Sequence, residues 1–302
     1  YFDDNYKDLY CEEESWEKAE VKLLTESMKR VLEKNKMTKD SIDLVLSGDL
    51  LNQITSSCYS AEVIGKPFLG VYSACASNVE GLIIASNFIE SRQVSTCLCG
   101  TSSHNTGSEK QFRNPTEYGA PKPKTATFTA TGGASAIISN NKSDIRVESA
   151  TIGKIIDYDQ TDALNMGAVM AGAAVDTLKT HLQDLNRNEN YYDLILTGDL
   201  GLYGKEIMKE YSKKEYNIDL SKNYNDCGVM LYDLKNQKEV LAGGSGPVCS
   251  ALVTYGFVIN EMKKKNIKRV LIIATGALFS PTFLFQKQNI LSIAHAISLE
   301  AI

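Results

Sequence analysis

A nine-residue phrase occurs twice in this chain, as DLVLSGDLL at residues 43–51 and as DLILTGDLG at residues 193–201, 150 positions apart in a chain of 302. Self-similarity at half the chain length marks an internal duplication and narrows the possible folds to those built from two similar halves. The surroundings extend the match. Residues 15–36 carry Ala19, Leu23, Leu24, Met28, Val31 and Leu32 at spacings of three and four. The same register, 150 positions on, finds Ala173, Ala174, Leu178, His181 and Leu182 within residues 169–185. Both stretches have the period of an amphipathic helix. Each passes through a polar turn into a short apolar run, 44–46 or 194–196, that ends in Gly-Asp. A helix followed by a strand that is apolar at every position is the αβ unit of a buried parallel sheet.

The correspondence continues through a second strand at 67–72, an apolar helix at 79–90 and a strand at 94–98 that runs to Gly100. In the second half an apolar helix follows Cys249, closes on Lys263, Lys264 and Lys265 where cations suit the helix dipole, and leads to a strand at 270–274 that runs to Gly276. The separation there has grown to 176, so the second half carries 26 more residues, which we assign to the polar stretch 204–223. The expected fold is an α/β arrangement of two pseudo-twofold-related βαβαβ halves, residues 1–150 and 151–302. Because the chain opens at Tyr1 and not at methionine, we expect a piece of a longer protein with a first strand upstream.

Composition excludes several classes. A chain with 43% hydrophobic and 23% charged residues is globular and not disordered. It has no apolar run near the roughly 18 residues of a membrane helix and no signal-peptide pattern. A net charge of −5 argues against a nucleic-acid partner, which calls for a basic face. Seven scattered cysteines, an odd number, fit reduced thiols, and no CxxC or HxxxH spacing points to a metal.

The chemistry-bearing residues gather at the turns. GVYSACASNVEG, residues 70–81, sets Cys75 where a strand becomes a buried helix, and a helix start favours the thiolate. The competing reading is a small structural residue among Ser, Ala and Gly. A nucleophile needs a base. His181 sits on the margin of a helix stripe and reads as structural, whereas His104 in a polar loop and His295 in the strand-like IAHAISLE are both candidates to approach Cys75. GGSGPVCS, residues 243–250, holds in the second half the position of the Cys75 turn in the first, and its glycines permit close backbone approach to a ligand. It lacks the lysine of a phosphate-binding loop. Asp49 and Asp199 end the repeated strands at the edge where parallel sheets carry sites, with capping of the next helix as the expected task of both. The NDCG stretch at 225–228 reads as a turn.

A duplicated chain with a cysteine at the head of a buried helix resembles the thiolase fold of thiolases and ketoacyl-carrier-protein synthases. The strings SGDLLNQI, GVYSACAS, SSHNTGSEKQFRNPTEYGAPKPKT, NMGAVMAGAA, NDCG, GGSGPVCSALVTYG, ATGALFSP and IAHA, with the repeat itself, resemble the stage V sporulation protein AD family of spore-forming Firmicutes over essentially the whole chain. The resemblance implies a layered α-β-α-β-α fold that needs no cofactor. It implies binding of dipicolinic acid (pyridine-2,6-dicarboxylate), alone or with calcium, for uptake into the developing spore and release in germination. It also implies membrane-embedded partners from the same operon, a place on the cytoplasmic face of the spore inner membrane, and a homodimer.

Departures from the condensing enzymes matter as much. Where those carry a His-x-x-Asn stretch, this chain reads Gly198-Asp199-Leu200-Gly201, and residues 243–246 supply no asparagine. The segment QKQNILSIAHA also drifts from the sporulation family. Cys75 thus holds the nucleophile position without the usual base, and the reading is a thiolase fold turned to binding. The alternatives are an acyltransferase that uses Cys75 with an unusual base and a scaffold without a pocket. The expected contacts to two carboxylates are drawn from Ser73, Cys75, Ser102, Ser103, His104, Arg113, Asp199, Ser245, Gly246 and His295. Arg113 is favoured for its planar fork, a salt bridge to Glu109 or Glu117 being its other reading.

Overall fold

The computed structural model of the chain describes residues 1–112 and 122–302. Helix α1, Trp16–Lys34, begins where the Ser15 hydroxyl accepts a hydrogen bond from the Lys18 N–H at 3.3 Å, a side-chain N-cap. Its inward stripe of Ala19, Leu24, Met28 and Leu32 is buried. Strand β1, Leu44–Gly48, is buried throughout. Helix α2, Thr55–Ile64, leads to β2, Phe68–Gly70, which pairs parallel to β1. Helix α3, Ser77–Glu90, leads to β3, Thr96–Ser103, parallel to β1 on its other side. After α4, Asn105–Phe112, and the short β4, Phe128–Thr129, strand β5, Gly132–Ser139, returns antiparallel to β3.

The second half opens with β6, Ile145–Thr151, and α5, Met166–Asp184. Strand β7, Leu194–Thr197, helix α6, Gly201–Tyr216, and strand β8, Tyr224–Asp226, then repeat the β1-α2-β2 order. Helix α7, Cys227–Leu231, and strand β9, Gly244–Ser245, precede α8, Pro247–Val253, which runs through a π-helical turn into α9, Ile259–Lys263. Strand β10, Arg269–Leu278, the short α10, Pro281–Phe285, and β11, Leu291–Ala301, complete the chain. The sheet orders are β2-β1-β3-β5 and β6-β11-β10-β7-β8. Read from β8, the second sheet repeats the first as β8-β7-β10-β11, with β6 added at its edge.

The extra residues of the second half are not confined to 204–223, where the sequence reading set them. Helix α6 is longer than α2, but most of the added chain falls after β8, where α7 and β9 have no counterpart before α3. Polarity alone located the insertion badly, because this added chain is itself partly buried.

Three apolar clusters define the layers. Leu44 and Leu46 of β1 and Cys97 and Cys99 of β3 face Val79, Leu82 and Ile83 of α3, while Val270 and Ile272 of β10 and Ile297 of β11 close on the same helix layer from the other side together with Val248 and Ala251 of α8. Val45 and Leu98, the alternate residues, point outward to Leu24 and Met28 of α1. Leu271 and Ile273 meet Val175 and Leu178 of α5 on the opposite outer face. The result is α-β-α-β-α. Helices α5 and α6 touch through backbone, since a Cβ on Gly204 would stand 2.7 Å from the Gly167 Cα. Among the described residues no helix is long and apolar enough to cross a membrane.

One residue on the inner face of α1 breaks the apolar pattern. Glu20 is fully buried, its Oε1 accepts a hydrogen bond from the Ser102 hydroxyl at 3.0 Å, and it faces the buried Asp49 at the end of β1. Burial, and then repulsion from Asp49, push the Glu20 carboxyl up to about 8. A carboxyl raised in the fold above its unfolded value of about 4.3 contributes stability that is full below that value and is lost as pH rises through 8. The wild type should therefore melt progressively lower between about pH 5 and about pH 8, and Glu20→Gln should flatten that loss, with a gain on the order of 5 °C at the alkaline end. Thermal melts followed by circular dichroism check this, and parallel pH profiles for the two proteins would refute it.

Candidate functional site

The turn between β2 and α3 presents Cys75. Ala74 just before it has φ of 51°, a left-handed conformation that costs a non-glycine residue about 1–2 kcal/mol. The turn is held from within: the Ser73 N–H donates to the Ser77 hydroxyl at 3.0 Å, and that hydroxyl donates to the Ala74 carbonyl at 2.7 Å. On the far side the Gly243–Ser250 stretch delivers Gly246, whose φ of +95° excludes most side chains. A Cβ there would also lie 2.6 Å from the Ser103 hydroxyl. Pro247 then opens α8.

Asp199 ties these pieces together. It is buried where β7 gives way to α6, its Oδ2 accepts the Gly246 N–H at 3.0 Å, and its Oδ1 accepts the Thr275 hydroxyl of β10 at 2.8 Å. The Cys75 thiol is its third partner. Burial, with the nearby Asp226 adding repulsion, raises the Asp199 carboxyl to about 7 against the opposing hydrogen bonds. For Cys75 the same contact works in the other direction. Burial first, then the charge and hydrogen bond of Asp199, lift its thiol well above the ordinary range, while the Gly246 N–H opposes weakly. The thiolate expected from the helix start is thus not favoured: burial, with a buried carboxylate beside the thiol, raises it instead.

These groups border a cavity of about 80 Å³ walled by Tyr72, Phe112, Met166, Met170 and Phe279, with the Phe112 and Phe279 rings 5.9 Å apart. Cys75, Asp199, Ser245 and Gly246 line it, so the structure brings four of the expected residues together. The others are engaged elsewhere. Ser73 shapes the turn, Ser102 serves Glu20, and Ser103 donates to the Ala130 carbonyl at 2.7 Å. His104 is buried with Nε2 donating to the Leu9 carbonyl at 2.7 Å and Nδ1 accepting the Gly107 N–H at 3.3 Å. His295 accepts the Gly153 N–H at Nδ1, 3.2 Å away. Neither lines the cavity, so neither candidate base reaches it. Arg113 and Glu117 lie outside the described residues. A far larger cavity, about 950 Å³, lies between residues 1–11, α1 and β5, but none of the groups converging on Cys75 borders it. Among the described residues no group of three or more His, Cys, Asp or Glu side chains is placed to hold a metal ion.

The twofold-related aspartates do different work. Asp49 caps as expected, accepting the Leu51 N–H at 2.9 Å and the Ser57 N–H of α2 at 2.7 Å. Asp199 does not cap α6. That task belongs to Asp226, whose Oδ2 accepts the Leu200 N–H and whose Oδ1 accepts the Gly201 and Val229 N–H groups. In the sequence Asp226 reads only as part of a turn. The NDCG motif gives no hint of a helix start 25 residues upstream.

Two similar sheets about a buried helix pair, with a cysteine at the head of the central helix, define a thiolase-like protein. Solved structures agree on the fold: 3-oxoacyl-[acyl-carrier-protein] synthase III from Aquifex aeolicus VF5 superposes with a TM-score of 0.60 at 11% identity, covering 93% of this chain and 84% of that one. A variant of OleA from Xanthomonas campestris gives 0.61 at 14%, covering 93% and 80%. A model of the family described as stage V sporulation protein AD (SpoVAD) matches residues 1–300. Stage V sporulation protein AD of Bacillus subtilis (strain 168) is 44% identical over 299 residues, 99% of this chain and 88% of that protein. The chain belongs to the stage V sporulation protein AD family.

The thiol geometry gives a direct expectation. Brief alkylation near neutral pH should label the exposed Cys58 first and Cys75 slowly, and Asp199→Asn should speed Cys75 several-fold by removing the charge that holds its proton. Peptide mass spectrometry after timed quenching reads both rates. Cys75 labelling as fast as Cys58 in the wild type would contradict the assignment.

Proposed function

We propose that this sporulation protein binds dipicolinate, pyridine-2,6-dicarboxylate, in the Cys75 cavity, and that with membrane-embedded partners of its operon it supports uptake of the ligand into the developing spore and its release in germination. The observation that carries the reading is the pairing of Cys75 with Asp199. An acid stands against the thiol, no histidine among the described residues lines the cavity, and the thiol is held protonated. Removal of a proton-transfer group typically costs on the order of 10²- to 10⁴-fold, which weighs against condensing chemistry at this site. The apolar, aromatic walls suit a flat ring, and the start of the 14-residue helix α3 favours an anion. A cavity this small suits a compact ligand better than a carrier-bound acyl chain.

A rigid dicarboxylate loses little entropy on binding, so we expect micromolar affinity, about −8 kcal/mol. Picolinate, with one carboxylate fewer, should bind weaker by about 1.5–3 kcal/mol. Titration calorimetry with both ligands measures this. Equal binding of the two, or no heat with dipicolinate at millimolar concentration, would remove the site assignment, and sustained turnover of acetoacetyl-coenzyme A would favour the acyltransferase reading.

A further inference from the structure

Among the described residues two side chains with carboxyl groups, Glu109 and Asp199, line the Cys75 cavity and no lysine or arginine does. Glu109 is matched by Lys122, 2.9 Å away. Asp199 forms no ion pair among the described residues; its partners are the Thr275 hydroxyl, the Gly246 N–H and the Cys75 thiol. A dianion seated against Cys75 and Gly246 would meet that carboxyl at hydrogen-bonding range. Two like charges in one water-poor site do not both stay ionised.

We propose that dipicolinate binding takes up one proton from solvent, which lodges on Asp199 and converts it from an anion that repels the ligand into a hydrogen-bond donor to one ligand carboxylate. The inference rests on the reading of this cavity as the dipicolinate site. The surroundings leave Asp199 as the acceptor. The half-buried Cys75 before α3 and the buried Cys227 of α7 and Cys249 of α8 are thiols raised well above their ordinary range, so they are already protonated. Tyr72, which also lines the cavity, is raised to about 12 by burial and is neutral. His295 of β11 is lowered by burial and its Nδ1 is occupied by the Gly153 N–H. Asp226 stands behind Asp199, away from the lining, and its charge serves the N–H groups of residues 200, 201 and 229. Asp199 itself sits near 7 before any ligand arrives, so the ligand needs only a modest further push.

The sign follows. Below the titration of Asp199 the proton is already present, and affinity is pH-independent. Above it, binding must draw a proton, and affinity falls about tenfold per pH unit. The ligand's own carboxyls stay ionised throughout, since carboxyls ordinarily titrate near 4. Calorimetry on the wild type at about pH 6 and about pH 8.5, each in two buffers of different ionisation enthalpy, reads the proton directly. We expect little uptake at the acid end, uptake near one proton at the alkaline end, and roughly ten- to thirty-fold weaker binding there. Asp199→Asn, which keeps the shape and a donor, should abolish both the uptake and the slope. Dipicolinate that binds with equal affinity at both pH values and no uptake would overturn the proton linkage while leaving the binding function standing. Absence of binding at either pH would instead remove the functional reading and this inference with it. Uptake that persists in a folded Asp199→Asn protein would refute the assignment to Asp199.

Discussion

A helix layer with water on neither side governs this structure. Helices α3 and α8 are enclosed by two sheets, and each fully buried Val, Leu or Ile among them contributes roughly 1.5–3 kcal/mol. The benefit carries an obligation: every polar group in the layer must find its partner inside the protein. Asn78 on α3 does so across the pseudo-twofold, donating to the Ser250 hydroxyl at 3.3 Å and accepting the Tyr255 hydroxyl at 2.8 Å. The helix entrances are more demanding, because N–H groups there lack intrahelical acceptors. Ser77 and the Ala74 backbone close one entrance, and Asp199 closes the other by accepting the Gly246 N–H. The site is therefore part of the same solution that lets the layer exist.

That dependence explains what the sequence disclosed. The duplicated Gly-Asp strands, the stripes of α1 and α5 and the buried strands were legible, because each is written in local periodicity, and the sheet orders match in the two halves as duplication requires. Cys75, Asp199, Ser245 and Gly246 were also legible as neighbours, since strand ends and helix starts on one edge of two such sheets must converge. Harder to see was what each side chain does there. Asp49 and Asp199 occupy equivalent positions in nearly identical phrases, yet one caps a helix and the other secures a turn 47 residues away. Nothing within either phrase distinguishes them. The difference comes from the end of β8, where Asp226 caps α6 while the equivalent residue of β2 is Gly70, and Asp199 is left to hold Gly246. His104 misled for a related reason: a polar loop in sequence became a buried ring satisfied by Leu9 and Gly107.

Acids in this protein are repeatedly placed where water and cations do not reach. Glu20 and Asp49 share one half, Asp199 and Asp226 the other, and burial raises all four. Such groups do not serve stability well near neutrality, because a raised carboxyl charges at a cost that grows as pH rises. Asp226 offsets that cost with backbone N–H groups and the Thr197 hydroxyl, and Asp49 with the start of α2. Glu20 has fewer contacts still, with a hydrogen bond from Ser102, but of the four it is Asp199 that borders the Cys75 cavity. A carboxyl left close to neutrality at a ligand-sized opening can change state when something enters.

The exchange of a base for an acid opposite Cys75 is more than the loss of a catalytic group. A thiol beside an imidazole can pass its proton across, and the resulting imidazolium then stabilises the thiolate it has made. A thiol beside a carboxyl follows the opposite logic. Transfer of the thiol proton to Asp199 would leave a thiolate with no positive partner, whereas retention leaves an S–H group donating to a carboxylate. The thiol stays protonated near neutrality in both states of the carboxyl: burial raises it in either case, and the anion adds repulsion. Cys75 thus stays a neutral, polarisable wall of the cavity over the whole range in which Asp199 titrates. The same pair that keeps the thiol protonated thus leaves one group titrating near neutrality, Asp199, on the lining of the cavity.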